Sequence, residues 1–137
     1  MKASVRVSIA LAVILAVILF VTVMRMNNKI VSTAFAAEIT LRREYEDVNI
    51  NVAVTDEEDK AALKDLLSGR LFEDSPSCGF GSTAVTLSDG TESLTVYPAG
   101  DSCPLVRVEE SDYYIELKDR PALDAILAKY GIYFPCV

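Results

Sequence analysis

The sequence contains no histidine. No thiol or hydroxyl therefore has an imidazole to take its proton, which removes Cys-His and Ser-His-Asp nucleophiles and every histidine-containing zinc pattern. Cysteine is scarce as well. Cys78, Cys103 and Cys136 form no C-x-x-C pair, so neither a thioredoxin-like motif nor a zinc ribbon is written here. "GFGS" at 79–82 lacks the length and the following lysine of a phosphate loop. Repeats, low-complexity tracts and an internal linker are also missing. Residues 1–37 hold no acid, although they carry Lys2, Arg6, Arg25 and Lys29. The other 100 residues carry 20 acids against 9 bases, a net −11. That charge repels nucleic acid and anionic lipid surfaces, so neither is expected as a partner.

What the chain does have is one long oily run. Val7 to Met24 is 18 residues without a charge, interrupted only by Ser8 and Thr22. As a helix it rises about 27 Å, close to the roughly 30 Å of a hydrocarbon core. Lys2 and Arg6 precede it, which predicts a short cytoplasmic stub and an exported C-terminal part. Residues 1–37 are accordingly read as stub, membrane or signal segment (7–24) and connector, and residues 38–137 as one extracytoplasmic domain. Ala34-Phe35-Ala36 before Ala37 has the small-x-small pattern of a signal peptidase site. Twelve residues, including two bases, separate it from the apolar run, farther than such sites normally lie. The expectation is a retained single-span anchor; the alternative is secretion after cleavage following Ala36.

The exported part predicts an α+β domain. "DVNINVAVT" alternates, placing Val48, Ile50, Val52 and Val54 on one side of a strand. "EITLRREY" (38–45) either adds a strand or leads out from the membrane. "TDEEDKAALKDLLSG" predicts a helix capped at Thr55 with Glu58, buried through Ala62, Leu63, Leu66 and Leu67, and stopped by Gly69. Its "DEED" reads as a capped, solvated helix start before it reads as a cation site. "STAVTLSDGTESLTVY" predicts a hairpin turning on Asp89-Gly90, with Ser88 opposite Thr91, Val85 opposite Leu94 and Thr83 opposite Val96. "LVRVEESDYYIEL" predicts a second hairpin turning on Glu110-Ser111, with Val108 opposite Tyr113 and Val106 opposite Ile115. "DRPALDAILAKYG" predicts a closing helix begun by Asp119 and Pro121, buried through Leu123, Ile126, Leu127 and Tyr130, and ended at Gly131. The order β-α-β-β-β-β-α gives about five antiparallel strands packed by two helices in two layers.

Cys78, in "DSPSCGFGS", extends the first hairpin to a place opposite Asp101 and diagonal to Cys103. In an oxidising space a Cys78–Cys103 disulfide is expected. It would close a loop of about 26 residues, worth roughly 3.5 kcal/mol in the chain-entropy treatment. Cys136 is then left free, intermolecular or redox-active, although it can also pair with either of the others. Asp101 beside Ser102 reads as turn chemistry before cation binding. No catalytic, metal or cofactor-binding residue is assigned from the sequence, and no cofactor is expected.

"PSCGF", "GDSCP" and "KYGIYFPCV" resemble short exported bacterial proteins of uncharacterised function, over about residues 46–137. The resemblance implies a bacterial, secreted or anchored domain and carries over neither activity nor site. The function expected is a membrane-anchored or secreted domain that binds an extracytoplasmic protein or a small ligand. An exposed aromatic patch near Tyr97 and Tyr114 would favour it. The alternative is a small cell-envelope enzyme working through carboxylates, such as a glycan hydrolase, for which two acids must converge in a cleft.

Overall fold

The computed structural model describes residues 2–27, 29–109 and 111–134. Its first element, α1 (Lys2–Asn27), contains Val7–Met24, whose mean hydropathy is 3.0 and none of which is covered by the rest of the protein. By length and composition this helix can cross a membrane or act as a signal sequence.

Then come β1 (Ile30–Val31), β2 (Glu38–Tyr45), β3 (Val48–Ala53), α2 (Glu57–Leu66), β4 (Gly69–Glu73), β5 (Thr83–Ser88), β6 (Ser93–Pro98), β7 (Leu105–Val108), β8 (Tyr113–Glu116) and α3 (Arg120–Lys129). The strands form one antiparallel sheet in the order β1-β4-β8-β7-β6-β5-β2-β3. The fold is thus α+β as expected, but with eight strands instead of about five. The segment 38–45 is a full strand between β3 and β5. β4 replaces what reads as a helix stop and loop. Leu71 of β4 pairs with Ile115 and Phe72 with Tyr114, so both faces of the strand are used and no polar-apolar alternation advertises it. Gly69 is the first residue of β4, not a helix cap, and a Cβ there would lie 3.3 Å from Ile115 Cγ2.

One face of the sheet makes the core. Ile39, Leu41, Val85, Leu87, Val96 and Val106 meet Leu63, Leu66 and Leu67 of α2 and Leu123, Ile126 and Leu127 of α3. The two helical stripes are the expected ones. Leu41, Val85, Val96, Leu127 and Ile132 are wholly inaccessible.

The caps follow local chemistry. Asp56, one residue after Thr55, caps α2; its carboxylate accepts from the Glu58 and Asp59 N–H groups at 2.8 and 3.0 Å. Asp119 caps α3 by accepting from Ala122 N–H at 2.9 Å. At the other end of α3, Gly131 takes φ +82, its N–H donates to Ala128 O and the Ile132 N–H reaches Leu127 O. That Schellman closure turns Ile132 into the core.

The β7–β8 register is the expected one, Val106 opposite Ile115, with Glu110 of its turn outside the described residues. The β5–β6 register differs by two: Val85 faces Val96, and Leu87 faces Leu94. Asp89 is the reason. Its carboxylate accepts from the Thr91 and Glu92 N–H groups at 2.8 and 2.7 Å, so the connection takes four residues, 89–92. A shift of two leaves every side chain on its expected face.

α2 and α3 are joined by a buried acid. Asp59 is 5% exposed, accepts from Lys129 Nζ at 2.6 Å and from the Tyr130 hydroxyl at 3.0 Å. The Lys129 bond, above all, holds the Asp59 carboxyl below its ordinary value of 3.8, against the opposing effect of burial. A depressed carboxyl stabilises the fold above its unfolded pKa, and that contribution disappears as pH falls through the folded one. Asp59→Asn should therefore be less stable than wild type at pH 7, with a flatter loss of stability as pH falls below about 4. Denaturant melts across that window measure both effects.

Candidate functional site

Two loops meet at one end of the β5–β8 part of the sheet and bring three potential ligand atoms together. Residues 74–82 link β4 to β5, and residues 99–104 link β6 to β7. The Sγ atoms of Cys78 and Cys103 and a carboxylate oxygen of Asp101 all lie within 4.8 Å of one another, each residue half-buried. Both cysteines stand as free cysteines. The pair expected to cross-link is thus brought together, and Asp101 joins it. Cys136 lies outside the described residues.

Each loop is held from several directions. Gly100 N–H donates to Gly79 O at 2.8 Å and so ties one loop to the other. Asp101 folds back on its own turn, accepting from Cys103 N–H through Oδ1 at 2.9 Å. Underneath lies Arg120, the first residue of α3 and only 6% exposed. Its guanidinium donates to Cys103 O at 2.6 Å, to Ala99 O at 2.8 Å and to Asp124 Oδ1 at 2.7 Å. Its face lies 4.7 Å from the Phe134 ring centroid, and Arg43 approaches the same ring at 5.4 Å. A cation in the first turn of a helix opposes the helix dipole. Here two loop carbonyls and a carboxylate one turn on offset that cost. That misplaced charge is the one signal in the sequence that would have revealed Arg120.

The loop 74–82 also closes over the second face of the sheet. Phe80 stacks on Tyr114 at 5.4 Å, and Arg107 lies 5.6 Å from the Phe80 ring and 5.3 Å from that of Tyr97. Tyr114 is buried and Tyr97 half-buried, so the aromatic patch is built but covered. Arg107 Nε is buried without a hydrogen-bond partner; ring faces supply its surroundings.

The Cys78 thiol is not poised to attack. The Cys103 thiol beside it, burial and the Asp101 carboxylate push the Cys78 thiol up to about 11. Reactive cysteines need the opposite environment, a nearby cation that favours thiolate.

Among the described residues the acids assemble no second centre. An open depression of about 630 Å³ is lined by Glu73, Asp74, Ser75, Ser111, Asp112 and Tyr113. Within it Asp74 accepts from Ser75 N–H at 2.8 Å, and Glu73 lies against the Tyr113 hydroxyl and raises its pKa.

The segment before β2 has its own place in the fold. β1 pairs with β4, and Leu71 N–H donates to Lys29 O at 2.8 Å. Thr33 is 2% and Ala36 4% exposed. Thr33 Oγ1 donates to Lys64 O at 2.5 Å, Lys64 Nζ to Ala36 O at 2.7 Å, and Ala37 N–H to Ser88 O at 2.9 Å. The Ala36–Ala37 bond is therefore flanked by core contacts and sheet hydrogen bonds.

No protein-family model matches this sequence, and no curated protein or solved structure matches it.

Removing the guanidinium takes the donors from the buried Ala99 carbonyl and the half-buried Cys103 carbonyl. Arg120→Met should lower stability by about 3 kcal/mol and raise amide exchange in residues 99–105 more than in β2 or β3. Denaturant melts and hydrogen-exchange mass spectrometry measure the two effects.

Proposed function

We propose that this protein is a single-span membrane protein whose C-terminal domain stands outside the membrane and binds a ligand or partner through its two-loop cysteine face. One observation carries the attachment to the membrane. The residues between the apolar helix and β2 are structural members of the domain, since Ile30 and Val31 pair with β4 while Thr33 and Ala36 are buried. Cleavage after Ala36 would remove β1, the Thr33 bond to α2 and the covered side chain of Ala36. Lys2 and Arg6 favour a cytoplasmic N-terminus.

The binding reading rests on preorganisation. Arg120 and the Gly79–Gly100 bond hold both loops in place before anything arrives, and pre-paid ordering is what a binding face needs. The carboxylate-enzyme reading has weaker support, because Glu73 and Asp74 are already engaged with Tyr113 and Ser75.

The test is fractionation of a bacterium producing the full chain, followed by intact-mass measurement. The expected product stays in the membrane pellet after alkaline extraction, with the mass of the uncleaved chain. A soluble product beginning at Ala37 would overturn the anchor. A second variant lacking residues 30–36 tests the structural role directly. It should keep the span and lose the domain's cooperative melt.

A further inference from the structure

We propose that Cys78, Asp101 and Cys103 form a binding site for a thiophilic metal cation of the zinc class, which is the ligand chemistry of the two-loop face described above. The inference rests on that reading of the face and names what the face takes.

Ligand type comes first. Two sulfurs and one carboxylate oxygen are a donor set for a borderline-soft cation, and they do not suit calcium or magnesium, which take oxygen. Geometry comes next. With Zn–S near 2.3 Å and Zn–O near 2.1 Å, tetrahedral coordination separates two sulfurs by about 3.8 Å and a sulfur from an oxygen by about 3.6 Å. The observed cluster has every separation inside 4.8 Å, so no pair of donors lies more than about 1.2 Å beyond these values.

Placement is the third argument. The donors come from two loops that are separately fixed, one by Phe80 on Tyr114 and the other by Arg120 on Ala99 O and Cys103 O. Asp101 spends Oδ1 on the Cys103 N–H, which orients the carboxylate and leaves the other oxygen for a metal.

From the free dithiol form, the binding step balances without a redox partner. Zn²⁺ replaces the protons of the two thiols, both protons pass to solvent, and the carboxylate oxygen completes three protein ligands. Three ligands leave one tetrahedral position for water or an exogenous group.

The experiment uses the full chain in detergent micelles, kept reduced by a phosphine under argon and titrated with zinc alone against a chromophoric chelator. One zinc per chain and two protons released per zinc are expected. Cys78→Ser and Cys103→Ser should each weaken binding by at least about 100-fold, the upper end of what losing an outer-shell partner costs. Asp101→Asn should weaken it about tenfold; its amide oxygen still accepts from the Cys103 N–H, so the loop stays in place, which circular dichroism and melting verify. Cobalt(II) in place of zinc should show thiolate-to-metal absorption with the intensity of two thiolates. The proposal is overturned if the reduced wild type takes up no zinc, or if Asp101→Asn binds as tightly as wild type. It is also overturned if chains trapped with an alkylating agent straight from unreduced membranes all carry a Cys78–Cys103 disulfide, which would make the pair a covalent staple. Membrane retention is scored in the same preparations, so loss of metal binding and loss of the anchor are read separately.

Discussion

Two helices laid across one face of an antiparallel sheet are the condition on which the rest of the molecule depends. Burying Leu63, Leu67, Leu123 and Leu127 against Leu41, Val85 and Val96 removes apolar surface from water and fixes where α3 lies. That placement delivers Arg120, the first residue of α3, beneath the 99–104 loop. The loop therefore owes its shape to the core. Asp59, spanning α2 and α3, keeps the two helices in one relation, and the arginines around Phe134 bring the C-terminal tail into the same assembly.

The charges of the domain are sorted by depth. Most acids stand at caps, turns and the exposed rim, where water screens them. Three arginines go inward, each with a different solution. Arg43 bonds Thr83 and faces the Tyr45 and Phe134 rings, Arg107 lies between the Phe80 and Tyr97 rings, and Arg120 takes carbonyls and a carboxylate. A planar, weakly hydrated guanidinium tolerates such places where an ammonium would not. The acidic domain thus has a cationic interior framework, and the cysteine face is built on part of it.

Much of this was legible in the residue pattern, and the failures have physical causes. β3, both hairpins and both short helices announce themselves through the spacing of their apolar residues, although Phe80 and its loop cover part of the hairpins' second face. β4 does not, since Leu71 and Phe72 both find partners; β1 is two residues long. The slip in the β5–β6 hairpin is invisible to pattern, because the strand period is two and the shift is two. Extending the expected hairpin register already puts Cys78 opposite Asp101 and diagonal to Cys103. What brings all three together is the course of two irregular loops, set by tertiary contacts such as Gly100 N–H on Gly79 O, and no local propensity encodes that. Arg120 shows in the sequence only as a cation at the unfavourable end of a helix; its burial and its loop carbonyls belong to the tertiary structure.

The join between helix and sheet is short. Asn27 ends α1 and Ile30 begins β1, three positions later, a distance of roughly 11 Å at full extension. With α1 in a bilayer, the edge strand would be stitched in place almost at the headgroups, and the domain could not sweep the volume that a long tether permits. Encounters would then be confined to a thin lamina above the lipid. In that arrangement anything meeting the domain would itself have to be resident there or be brought there, and crowding within that sheet, more than intrinsic tightness, would set how often the two are found together.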